Sequence, residues 1–158
     1  MPLRIPLSKP VITKDMVEAA IHALQNEKLV LGESVYKFEE EFAKYVEVKH
    51  AVAVNSGTSA LILAYHAIDF SQEEGFIVPS ATFVSTASSG AMVGGTPIFV
   101  DIKLDDYTID VVEVRRVIEK SLIPVKAIVP VHLYGYPADL EPLLEIAEKH
   151  GLYLIEDA

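Results

Sequence analysis

Two rhythms of apolar and polar positions divide this chain near residue 50. Before that point the spacing is helical. Thr13 offers an N-cap to a helix carrying Val17, Ala20, Ile21 and Leu24 on one face, a period near 3.6. Gly32 interrupts the pattern, and Ser34 is expected to cap a second helix. Its apolar stripe is Val35, Phe38, Phe42, Tyr45 and Val46, and Glu39, Glu40, Glu41 and Lys44 form its wet face. Residues 1–13 read as extended, because Pro2, Pro6 and Pro10 each disfavour helix in the residue before them.

From residue 50 the rhythm becomes strand, then helix. Apolar runs at 51–54, 76–78, 97–100, 125–131 and 152–155 predict strands, and helices are expected over 59–68, 82–93, 111–121 and 140–150. Asp110 with Glu113 resembles a capping box, Asp139 can cap the last helix, and Gly151 ends it. Continuously apolar strands alternating with helices predict an α/β fold, a mostly parallel doubly wound sheet with helices on both faces.

In such sheets ligands gather beyond the carboxyl ends of the strands. Those ends carry Asn55-Ser56-Gly57-Thr58-Ser59, Pro79-Ser80-Ala81-Thr82-Phe83, Asp101, His132-Leu133-Tyr134-Gly135 and Glu156-Asp157. Small polar residues opening a helix after a strand suit an anion, since the first amides are unpaired and sit at the positive end of the helix dipole. An ordinary capped turn explains the same residues, because serine and threonine are good N-caps. Neither G-x-G-x-x-G nor the lysine-bearing G-x-x-x-x-G-K-[ST] is present. A cradle of hydroxyls and backbone without a cation suits a phosphate that is held and never transferred.

Composition narrows the classes further. The 158 residues fit one domain of ordinary size, and half of them are apolar. A formal net charge of -10 argues against nucleic acid or an anionic membrane surface as partner. The absence of cysteine excludes disulfides and thiolate metal sites. His22, His50, His66, His132 and His150 are scattered without metal-ligand spacing, so no metal site is expected. No signal peptide and no membrane-spanning run is read, which makes the expected location cytoplasmic.

The stretches YKFEEEFAKY (Tyr36 to Tyr45), HAVAVNSGTSAL (His50 to Leu61), PSATFVST (Pro79 to Thr86), TPIFVD (Thr96 to Asp101), PVHLYGYPAD (Pro130 to Asp139) and HGLYLIEDA (His150 to Ala158) occur in this order. Together they resemble the DegT/DnrJ/EryC1/StrS sugar aminotransferases, fold-type I enzymes that use pyridoxal 5'-phosphate. The resemblance implies an aspartate aminotransferase-like large domain, incomplete at its C-terminus. Residues 1–49 would form an arm and two helices, and residues 50–158 part of the cofactor-binding domain.

It also implies roles for single residues. Gly57, Thr58 and Ser59 would hold the cofactor phosphate, Phe83 would stack on the pyridine ring, and Asp157 would pair with the pyridine nitrogen. His132 and Tyr134 would support the site. The lysine that forms the Schiff base in this family belongs to a motif beyond residue 158, so no catalytic residue is assigned in this chain. The implied reaction is amino transfer to a nucleotide-linked keto-sugar, with glutamate as donor, in a homo-oligomer or with a complementing C-terminal chain. A non-catalytic or partner-dependent module of the same fold, or a sugar dehydratase fragment, are the alternatives. The chain by itself is expected to self-associate and to be inactive.

Overall fold

A computed structural model describes residue 5, residues 8–71 and residues 73–158. The chain divides into two compact units, Met1–Ala53 and Val54–Ala158. The extended reading around Pro2 and Pro6 lies outside the described residues.

In the first unit, helix α1 spans Lys14–Asn26, and the Thr13 hydroxyl caps it by accepting from the Met16 amide at 3.3 Å. Helix α2 spans Glu33–Tyr45. Its N-cap is Gly32 and not Ser34. The amide and hydroxyl of Ser34 instead donate to the Glu27 carboxylate at 2.9 and 2.6 Å. A nearby carboxylate outcompetes the cap because it accepts both hydrogens with full charge. Glycine is required at 32, where a Cβ would stand 2.7 Å from the Lys28 carbonyl oxygen. No strand forms over 51–54, contrary to expectation. A parallel strand needs a neighbour for its amides, and the Ala53 amide donates instead to Glu39 Oε1 at 2.8 Å.

The second unit carries the sheet. Its elements run α3 (Gly57–Ala67), β1 (Gly75–Pro79), α4 (Val84–Met92), β2 (Thr96–Val100), α5 (Val111–Lys120), β3 (Val125–Ile128), a short 3-10 turn at Leu133–Gly135, α6 (Leu140–His150) and β4 (Tyr153–Leu154). The strand order is β2-β1-β3-β4, and all three pairings are parallel. The chain goes from β1 to one neighbour and then crosses to the other side, so the order reverses between β1 and β3. In open parallel sheets such a reversal marks where ligands bind, beyond the carboxyl ends of the strands, here β1 and β3.

Alternation along the strands feeds two cores. Ile77 and Ile128 point to the face where Val114 of α5 and Leu143 and Ile146 of α6 pack. Phe76, Val78, Ala127 and Val129 point to the opposite face, against Leu61 and Tyr65 of α3. Helices therefore cover both faces, as expected. Helix α4 approaches through small residues, and a Cβ on Gly90 would fall 2.4 Å from the Phe76 ring. Asp110 caps α5 by accepting from Val112 at 2.8 Å, while Glu113 pairs with Arg116 and leaves the capping box unformed. Gly151 closes α6 in the left-handed region, φ 66°.

Candidate functional site

The N-terminus of α3 is held open by its own side chains. Ser56 accepts from the Ser59 amide at 3.1 Å, and the Ser59 hydroxyl donates to Asn55 Oδ1 at 2.7 Å. Ser59 is thus engaged within the turn. Among the described residues no hydrogen bond takes up the amides of Gly57 or Thr58. Nothing stands within 4 Å of a Cβ built on Gly57, so the space above this turn is free.

Asp157 lies across from this turn. A cavity of about 240 Å³ is lined by Gly57, Ala60, Leu61 and Ala64 on one side and by Ile155 to Ala158 on the other. The backbone of Asp157 is pinned by a parallel bridge to Val131, its amide donating to the Pro130 carbonyl (3.0 Å) and its carbonyl accepting from His132 (2.9 Å). Its carboxylate accepts from the Thr86 hydroxyl at Oδ2, 2.5 Å. Thr86 in turn lies 2.7 Å from the Thr82 hydroxyl.

The remaining residues singled out from the sequence occupy different stations. Phe83 is the N-cap residue of α4 and is 72% exposed, so one ring face is available. His132 accepts the Ala138 amide at Nδ1 (3.0 Å), which puts its hydrogen on Nε2, facing Glu156 Oε2 at 3.0 Å. This imidazole braces the loop before α6 and the residue next to Asp157. Tyr134 is 99% exposed and adopts φ 55°, an uncommon conformation for a tyrosine. Phe83, His132 and Tyr134 do not line the cavity. Asp101 belongs to a separate turn, where its carbonyl accepts from Asp110.

Sequence reasoning passed over Thr86 and Tyr65. Tyr65 is fully buried, and its hydroxyl donates to the Thr86 carbonyl at 2.6 Å. Burial raises the phenol's ionisation well above its ordinary value, and the charge of Asp157 adds to this. Tyr65 therefore stays a donor. The usable signal was the helix VSTASSGAM itself, whose small polar residues Ser85, Thr86 and Ser89 are buried. Among the described residues no group of three acidic or histidine side chains could hold a metal ion, and no helix is long and apolar enough to cross a membrane.

A parallel α/β sheet with an open helix N-terminus and a braced carboxylate lining one cavity defines the class: solved structures similar to it include aminotransferases, among them ones with bound PLP or PMP. The chain belongs to the DegT/DnrJ/EryC1/StrS aminotransferase family, whose profile matches residues 10–158. It is 40% identical over 154 residues to the spore coat polysaccharide biosynthesis protein SpsC of Bacillus subtilis, covering 98% of this chain and 39% of SpsC. It is 41% identical over 143 residues to a dTDP-3-amino-3,4,6-trideoxy-alpha-D-glucose transaminase of Streptomyces venezuelae, covering 89% and 37%. NtdA of Bacillus subtilis, solved with bound cofactor PMP, superposes with a TM-score of 0.82 at 31% identity, covering 93% of this chain and 34% of that one. The chain thus spans less than two fifths of the length of these relatives.

Proposed function

We propose that this chain supplies the phosphate- and ring-binding part of a pyridoxal-phosphate-dependent aminotransferase of nucleotide-linked keto-sugars, with glutamate as amino donor. The carrying observation is the shared cavity: Gly57, at the α3 N-terminus where no hydrogen bond among the described residues takes up the first amides, and Asp157 both line it. An anionic group on one end and a protonated ring nitrogen on the other match that donor and acceptor set. The sugar-nucleotide class is supported by the S. venezuelae transaminase.

When bound, the cofactor supplies an electron sink for the carbanion formed at the amino donor. The chain's own residues hold it in place. The Gly57 and Thr58 amides would bind the phosphate at the positive end of α3. Phe83 offers its exposed face to the ring. Asp157 would accept a hydrogen bond from the protonated ring nitrogen. Unburied apolar side chains on α1 and α2, including Leu24, Phe38 and Phe42, support a homo-oligomer.

Calorimetry with pyridoxal phosphate and with dephosphorylated pyridoxal tests this reading. The phosphate form should bind at least tenfold more tightly, and equal affinity would refute the assignment of the cradle.

A further inference from the structure

We propose that Thr86 is the positioning residue for Asp157, orienting its carboxylate so that the second oxygen is reserved for the ring nitrogen; this rests on the pyridoxal-phosphate reading above. Counting hydrogens gives the direction of the network. A hydroxyl has one hydrogen and an ionised carboxylate has none. The Thr86 hydrogen goes to Asp157 Oδ2 at 2.5 Å, so the contact at 2.7 Å is Thr82 donating to Thr86. The chain of bonds runs one way, Thr82 to Thr86 to Asp157, and ends on a charge. Among the described residues no hydrogen bond is made to Oδ1.

Thr86 is built to hold still. It is fully buried, so water does not compete for its hydroxyl. Its amide donates to the Phe83 carbonyl at 3.1 Å, and its own carbonyl accepts from Tyr65 at 2.6 Å. A threonine hydroxyl in a helix commonly either faces water or bonds to nearby backbone. Here the hydroxyl reaches a residue 71 positions further along the chain. Phe83 and Thr86 share the first turn of α4, so one helix end sets both the ring face and the acid. With the Thr86 hydroxyl donating to Oδ2, Oδ1 is left to accept from the ring nitrogen.

The test uses the full-length protein, its Thr86→Val, Thr86→Ser and Thr82→Val variants, and pyridoxamine phosphate labelled with ¹⁵N in the ring. Binding is read by calorimetry and the ring nitrogen by NMR between pH 6 and 9. Thr86→Val should bind about tenfold more weakly, the equivalent of about 1.4 kcal/mol. Its nitrogen signal should move toward that of unprotonated pyridine, and Thr86→Ser should restore both. Thr82→Val should move the signal in the same direction by less, which decides the matter if Thr86→Val does not fold. A nitrogen signal unchanged in Thr86→Val, or in Thr82→Val where only that variant folds, overturns the proposal while leaving the cofactor assignment standing. Failure of the unsubstituted protein to bind the labelled ligand overturns both.

Discussion

The hydroxyl of Tyr65 donates to the backbone carbonyl of Thr86 at 2.6 Å and ties α3 to α4. The two helices carry the open turn at Gly57 and the exposed ring of Phe83, so this one bond registers two parts of the site. Tyr65 also packs its ring 4.8 Å from that of Phe76 and 6.1 Å from that of Phe70. Tyr65→Phe keeps the ring packing and removes only the donor. It should destabilise the protein by about 1 kcal/mol, the usual net value of one hydrogen bond. Urea denaturation checks this, and unchanged stability would mean the carbonyl finds another donor at no cost.

Asp157→Asn probes charge with little change of shape. The amide can still accept from Thr86, so the fold and the cavity should persist. What is lost is the charge-assisted bond to the ring nitrogen, roughly 1.5–3 kcal/mol. Cofactor affinity should fall by about one to two orders of magnitude, and turnover of the full-length protein should fall further. Wild-type turnover in this variant would show that another residue holds the nitrogen.

Gly57→Ala separates folding from binding. Nothing lies within 4 Å of the new Cβ, and position 57 opens α3. Alanine is the better helix former, by up to about 1 kcal/mol in a helix interior and less at this end. The melting temperature of the protein without ligand should hold or rise slightly, while affinity for pyridoxal phosphate drops. A drop in melting temperature would instead give Gly57 a structural task. Unchanged affinity would move the phosphate elsewhere.

The elements legible in the sequence are those whose signals are local. Thr13, Asp110 and Gly151 end their helices as their residue types demand, and α6 occupies 140–150 as the apolar spacing indicates. The misread segments depend on distant partners. The run 51–54 has strand composition, yet a strand exists only where ladder partners meet it. Ser34 has cap chemistry, yet Glu27 claims both of its hydrogens. The site divides in the same way. Gly57 opens α3 and Asp157 follows β4, and the glycine after small polar residues and the acid after an apolar run are both visible in the sequence. Thr86 is one hydroxyl in a helix of small residues, and its meaning comes from Asp157, far off in sequence. No period or motif encodes that contact.

The turn after β2 gives an acid-side prediction whose sign is fixed. Lys103 Nζ lies 2.6 Å from Asp106 Oδ2, and Oδ1 accepts from the amide and hydroxyl of Thr108 at 2.8 and 2.7 Å. The Lys103 hydrogen bond, helped by those from Thr108, lowers the Asp106 carboxyl from 3.8 to about 2. A carboxyl depressed on folding stabilises the protein fully above its unfolded value, and that contribution disappears as pH falls through the folded one. The pH-dependent part of the stability difference between wild type and Asp106→Asn should therefore be constant above about pH 5 and vanish between about pH 4 and pH 2. Lys103 is raised by the same pair, so its share persists below its ordinary value and is lost only at strongly alkaline pH. Urea titrations at pH 6, 4, 3 and 2, with the Asp106 carboxyl followed by NMR, measure both quantities. A carboxyl midpoint near 3.8 would show that Lys103 and Thr108 do not hold Asp106 in solution.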